Sequence, residues 1–246
     1  SSLRRDPRLL GWFDFSEHTG RTRILTIRST AMSPIASDGA VVAAESSTDR
    51  FGRIDRAMNF GRIGSRVRVN VPGRHRGLTM NCWVRISSLD RWYNSLFLTD
   101  GHEQREPHWQ IMDDGRVFFS VKLPSDRIRD ARQRQPVFYS PPIWDETFSG
   151  RWTMLSVTYD IDQRQVTHYQ DGKITSRQEI PVDDLADWIE IGPASISNWS
   201  EPMYFTNPEF VLRHLNGSMD EFAIYSDALS SDEVMNLFRV GTPNEH

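Results

Sequence analysis

With 246 residues, 38% of them hydrophobic and 11% aromatic, the chain can bury one sizeable core, and β-sandwiches of roughly this length commonly form a single domain. A net charge of −4 supplies no concentrated basic face, so composition argues against nucleic acid or an anionic membrane surface as a partner. The single cysteine, Cys82, cannot form an internal disulfide, and no stretch approaches the ~20 apolar residues of a membrane span.

Residues 1–8, SSLRRDPR, are polar and read as linker, leaving residues 9–246 as one domain. That start has no apolar signal region, so an exported chain would carry its targeting element elsewhere, as in a domain excised from a longer protein. Leu9 to Phe15 (LLGWFDF) is the first strand candidate, followed by short edge strands at Arg23–Arg28 and Ala40–Ala44. Ala57–Gly61 and Arg66–Val71 come next, the second with Val67, Val69 and Val71 on one face and Arg66, Arg68 and Asn70 on the other, the pattern of a half-solvated sheet. In Leu78–Ile86 the residues Met80, Cys82, Val84 and Ile86 share the inward face. Trp83 points the other way and is expected to be less buried than Cys82 or Val84. His108–Met112 and Val117–Lys122 flank Asp114-Gly115, a favoured hairpin connection. Pro124 to Gly150 is charged and aperiodic and reads as a long excursion at one end of a sandwich. Thr153–Asp160, Val166–Gln170 and the segment after Asp171-Gly172 form a meander, and Trp188–Ile191 and Phe210–Leu215 precede the last strand.

From Ser218 to Tyr225 the chain alternates, placing Ser218, Asp220, Phe222 and Ile224 on one face. A carboxylate on an apolar face loses several kcal/mol of hydration unless a cation or several donors compensate it, on the order of the cost of an unpaired buried ion. Something positive is therefore expected against Asp220. Ser230 and Glu233 read as a capping box that opens a short helix whose Val234, Leu237 and Phe238 form one stripe, with Gly241 at its end.

The run GSMDEFAIYSDALSSDEVMNLF resembles the closing signature of laminin-G-like (LamG-type) jelly-roll domains of the concanavalin-A-like lectin/glucanase superfamily. Two further blocks match in order: RAMNFGRIGSRVRVNV followed by LTMNCWVRI, and RWTMLSVTYD through VTHYQDGK. The block from Arg91 to Lys122 is similar to LamG-type domains that close bacterial envelope proteins carrying a FecR-type regulatory region. The resemblance implies an all-β, antiparallel jelly-roll β-sandwich with one short C-terminal helix. It also implies a structural calcium held by Asp220, with Asp14 and the backbone carbonyl of Gly61 as further ligands. An Arg partner for Asp220 is the competing solution, open to a chain in which only Lys122 and Lys173 of the 29 basic residues are not Arg.

Glucanases of the same superfamily need two carboxylates flanking a glycosidic bond, and here no predicted strand carries acids at alternate positions. Gly-x-Ser-x-Gly is absent, and the seven histidines lack zinc-ligand spacing. The segment Asp184 to Glu190 reads as a solvated acidic rim. Aromatic and polar residues do recur together in connecting stretches: Trp92 and Tyr93, then Asp100, Glu106, His108 and Trp109, then Trp144, and Trp199. Aromatic faces beside carboxylates and amides suit sugars, whereas a tryptophan that only seals a sandwich end would look the same in sequence. The expectation is a non-catalytic recognition module, binding a glycan or protein ligand in the periplasm or at the cell surface as part of a larger protein. A glycoside hydrolase or lyase on the same fold and a structural spacer are the alternatives. No nucleic acid and no membrane insertion by this chain are expected.

Overall fold

The computed structural model describes residues 5–15, 24–25, 36, 39–101, 103–128, 135–198 and 213–243. Its strands are β1 (Leu9–Phe13), β2 (Ile24–Leu25), β3 (Gly39–Val42), β4 (Glu45–Ser47), β5 (Ala57–Asn59), β6 (Arg66–His75), β7 (Gly77–Ile86) and β8 (Tyr93–Thr99). There follow β9 (Pro107–Met112), β10 (Arg116–Val121), β11 (Val137–Pro142), β12 (Trp152–Asp160), β13 (Gln165–Gln170), β14 (Lys173–Glu179), β15 (Ile189–Ser197) and β16 (Gly217–Tyr225), and then the helix α1 (Ser231–Gly241). One antiparallel sheet has the order β14-β13-β12-β7-β16-β5-β4, with β1 also on β16. The other has the order β11-β10-β9-β8-β15-β6-β3-β2. The two face each other as a sandwich, the architecture expected from the sequence.

The main core lies between the sheets. Val67, Val69 and Val71 of β6 face Met80, Cys82 and Val84 of β7 across it, as β-branched and aliphatic residues at alternate positions dictate. Aromatic rings fill the centre: Phe97 stacks on Phe222 at 5.5 Å and Trp109 meets Phe222 edge-on at 6.1 Å. Burial pushes the Cys82 thiol well up, so it behaves as a small core residue rather than a nucleophile.

A second, smaller core covers the outer face of the first sheet. There Trp83, Met154, Tyr169 and Tyr225 pack under Val234 and Leu237 of α1. Trp83 thus points away from Cys82 and Val84, as alternation requires, yet it is only 4% exposed because Phe238 stacks on it at 5.7 Å. The capping box is formed, with Ser230 Oγ accepting from the Glu233 amide and Glu233 Oε2 accepting from the Ser230 amide. Gly241 is the last residue of the helix, as expected, and a Cβ there would come within 2.8 Å of Trp83 Nε1. The helix continues to Gly241 and is capped by Thr242.

Two differences from the sequence reading matter for the site. Val137–Pro142, inside the expected excursion, is a full edge strand pairing with β10, and Tyr93–Thr99 is a central one. The expected linker is fastened at its end, where Arg8 is bonded to Asp6 and contacts Glu233 of α1. The expected strand Phe210–Leu215 falls largely outside the described residues.

Candidate functional site

Three connections meet at one end of the sandwich: 87–92 between β7 and β8, 113–115 between β9 and β10, and 143–151 between β11 and β12. Backbone bonds fasten them together, Ile143 N–H to the Gly115 carbonyl at 2.9 Å and Gly150 N–H to the Ile86 carbonyl at 2.9 Å. Gly115 sits at φ +83°, and a Cβ on it would lie 2.2 Å from the Trp144 carbonyl oxygen. Only glycine allows both the left-handed turn and that close approach. The three connections enclose an open cleft of about 640 Å³ lined by Trp144, Asp90, Asp113, Asp114, Asp145 and Glu146, together with Ser87, Ser88 and Ser149. Tyr93 pairs with Met112, so the preceding Trp92 stands beside Asp113 at the cleft's edge, with 73% of its surface exposed.

The cleft is strongly negative. Slight burial raises the Asp114 carboxyl, but the Arg116 amide and guanidinium, the latter 2.6 Å away, more than offset this and hold it below the usual range. The hydroxyl and amide of Thr147 do the same for Asp145. Asp90 approaches Arg91 at 3.4 Å. Among the described residues no cation pairs with Asp113, Asp145 or Glu146. Carboxylate oxygens without a protein partner, as on Asp113 and Glu146, are ready acceptors for hydroxyl or amino groups, and the cleft's acids together repel an anion.

The residues expected at a ligand site do not all come here. Trp144 does, and Trp92 lies on the connection that bounds the cleft without lining it. Tyr93 lies on the outer face of its sheet, edge-on to Phe118 at 6.0 Å and under the Arg213 guanidinium at 4.3 Å. Asp100 and Glu106 lie toward the opposite end of β8 and β9. Asp100 is paired with Arg68 at 2.5 Å, and Glu106, whose carboxyl is pushed up by burial, accepts from the Glu103 amide. His108 is buried with a ring nitrogen 3.1 Å from Thr99 Oγ1. Trp109 is a correction: it is fully buried between the sheets, because it shares a strand face with Ile111 and both point into the core. It offers no ring to a ligand. Trp199 lies outside the described residues. The acids Asp90, Asp113, Asp114, Asp145 and Glu146 were missed because acids in connections look like ordinary solvated residues. The pairing of acidic dipeptides with the Gly115 turn and with Trp144 was the available signal. The Asp184–Glu190 segment is a rim held by cations, Asp187 by Arg105 at 2.7 Å and Glu190 by Arg74 at 2.8 Å.

Asp220 is buried, but on the opposite face from the one expected. The register of β16 against β7 shifts between Met219 and Phe222, a β-bulge that turns Met219, Phe222 and Ile224 inward together. Asp220 accordingly faces out, beneath the turn at 48–53. Arg50 supplies the positive partner. Its guanidinium contacts Asp220, reaches Glu221 at 3.2 Å and donates to the Gly241 carbonyl at 2.6 Å. It also lies over the Trp83 ring at 4.8 Å. Burial pushes the Asp220 carboxyl up to about 6, against the opposing pull of Arg50.

The residues expected to hold calcium are spread along the closing strand. Asp14 follows Phe13, the partner of Phe222, and so comes near the bulge. Phe60 N–H bonds the Gly217 carbonyl, which puts Gly61 beside Asn216, four strand residues or roughly 13 Å from Asp220. Calcium needs its oxygens at roughly 2.3–2.6 Å. Among the described residues no group of three or more His, Cys, Asp or Glu side chains could hold a metal.

A laminin G family, described as the concanavalin A-like lectin/glucanases superfamily, matches residues 63–235. No curated protein matches the chain. Among solved structures, the binding domain of botulinum neurotoxin serotype D aligns with TM-score 0.64 at 12% identity over 96% of this chain and 52% of that one. The serotype D ligand-binding domain in complex with N-acetylneuraminic acid gives 0.63 at 11% identity, covering 96% and 51%. The binding domain of Paraclostridial Mosquitocidal Protein 1 gives 0.63 at 15% identity, covering 95% and 52%. The chain spans about half the length of these structures, and at such identities the likeness is one of fold. No helix among the described residues is long and apolar enough to cross a membrane.

Proposed function

The chain belongs to the concanavalin A-like lectin/glucanase superfamily, and from that premise we propose that it is a non-catalytic recognition module whose end cleft binds a neutral, hydroxyl-rich segment of an extracellular or envelope glycan. The observation that carries this reading is an open cleft walled by Trp144 and by three carboxylates, Asp113, Asp145 and Glu146, that lack protein cations, with the exposed indole of Trp92 on the connection that bounds it. Indole faces take the apolar face of a sugar ring while carboxylates accept from its hydroxyls. The negative mouth disfavours acidic sugars at this place. The cleft's acids sit in connections as adjacent residues, and no described strand carries acids at alternate positions, which favours binding over glycoside hydrolysis. Neighbours of this fold, one described as a ligand-binding domain and one as a binding domain, support the same class. In this reading the domain works outside the cytoplasm as a module of a larger envelope protein.

A glycan array probed with and without calcium, with turnover followed on a polysaccharide panel, tests it. Binding to neutral glycans without turnover is the expected result. Sugar release or chain cleavage would move the chain to the hydrolases or lyases of the fold, and an empty array would favour a spacer.

A further inference from the structure

A second cleft, of about 440 Å³, lies on the flank of the sandwich where the start of α1 crosses β12, β13 and β14. Its floor is made of hydroxyls. Thr158 and Thr167 are direct cross-strand partners, 4% and 3% exposed, and both line the cleft. Neither hydroxyl has a hydrogen-bond partner among the described residues. Both residues line the cleft, so the hydrogen bonds of their hydroxyls are left for whatever enters it.

The walls are donors as well. Arg177 forms no ion pair among the described residues and donates only to Ser231 Oγ, at 3.2 Å. Ser231 is the first residue of an eleven-residue helix, whose N-terminal amides carry partial positive charge. Tyr169 OH lies 3.5 Å from the same Ser231 oxygen. The two carboxylates at the rim are already engaged. Glu233 is held by Arg8 and the Ser230 amide, and Asp160 accepts from the Gln163 amide. What stays open is a guanidinium, the first amides of a helix whose N-cap and third amides are closed by the Ser230–Glu233 capping box, and two hydroxyls, a set that matches an oxyanion flanked by hydroxyl groups.

We propose that this flank cleft is a second binding site, specific for a carboxylate-bearing sugar residue, with Arg177 and the helix start receiving the carboxylate and Thr158 and Thr167 receiving ring hydroxyls. It is independent of the end cleft, whose acids repel such a ligand. The test titrates the intact chain with D-glucuronate, D-glucose and acetate by NMR or calorimetry. Glucuronate should bind at least tenfold more tightly than either glucose or acetate and should weaken with salt. Arg177→Gln should lose tenfold or more of that affinity, and Thr167→Val should lose severalfold with melting unchanged. Trp92→Ala should bind glucuronate as the parent does, which separates failure of this site from failure of the end cleft. Glucose or acetate binding as tightly as glucuronate, no glucuronate binding at tens of millimolar, or binding untouched by Arg177→Gln would overturn the proposal.

Discussion

Carboxylates are gathered in two very different ways in this molecule. At the bulge of β16, Asp220 is 3% exposed and its charge is met by Arg50, which also ties the 48–53 turn to the end of α1. In the end cleft, Asp113, Asp145 and Glu146 face water with no cation of their own. The first arrangement is a strut, because its polar groups already satisfy each other. The second leaves lone pairs open, because the carboxylates of Asp113 and Glu146 accept no bond from the protein among the described residues. What separates a structural acid from a binding one here is who already occupies its lone pairs.

The largest expected effect is at the strut. Arg50→Ala strands a buried carboxylate and should cost about 3–5 kcal/mol, lowering the melting temperature by on the order of 10 °C in a domain of this size. Replacing both partners, Arg50→Met with Asp220→Leu, should recover most of that, since a buried pair and an apolar pair of similar volume are close in energy. A double variant as unstable as the single would show that Arg50 acts through Glu221 and Gly241 instead. Trp109→Ala should also cost about 3–5 kcal/mol in a thermal or denaturant melt, as truncation of a core aromatic does. A melt near that of the parent would move Trp109 out of the core.

The pH dependence comes next in size. Asp220 has a folded value of about 6, above the ordinary carboxyl range near 4. Between those values the folded protein holds the extra proton, so stability is fully present below about pH 4 and falls as pH rises to about 6, by roughly 2–3 kcal/mol. Asp220→Asn should flatten that slope in melts taken across the window. An unchanged slope would assign it to another group. Smaller still, EDTA and added calcium should leave the melting temperature where it is. A rise with calcium that Asp220→Ala abolishes would restore the metal at this place.

Much of this fold was legible in advance, because alternation at Val67 to Val71 and at Met80 to Ile86 carries its own register. The closing strand shows where that reasoning stops. A bulge adds one residue and reverses the faces that follow, so Asp220 was correctly expected to be buried beside a cation but on the wrong side. Trp109 was open to the same alternation argument as Cys82, and sharing a face with Ile111 outweighs its polar neighbours. The end cleft could not be assembled from sequence, since Asp90, Asp113 and Trp144 belong to connections far apart in the chain and only strand order brings them together.

The central claim, that the end cleft binds and the buried carboxylate does not, is tested most directly by measuring melting temperature and affinity together on Trp92→Ala, using a neutral glycan found on the array. Loss of a 73% exposed side chain should change stability by no more than about 0.5 kcal/mol. It should weaken binding at least tenfold, or about 1.4 kcal/mol. Undiminished affinity in a variant that melts like the parent would contradict the account.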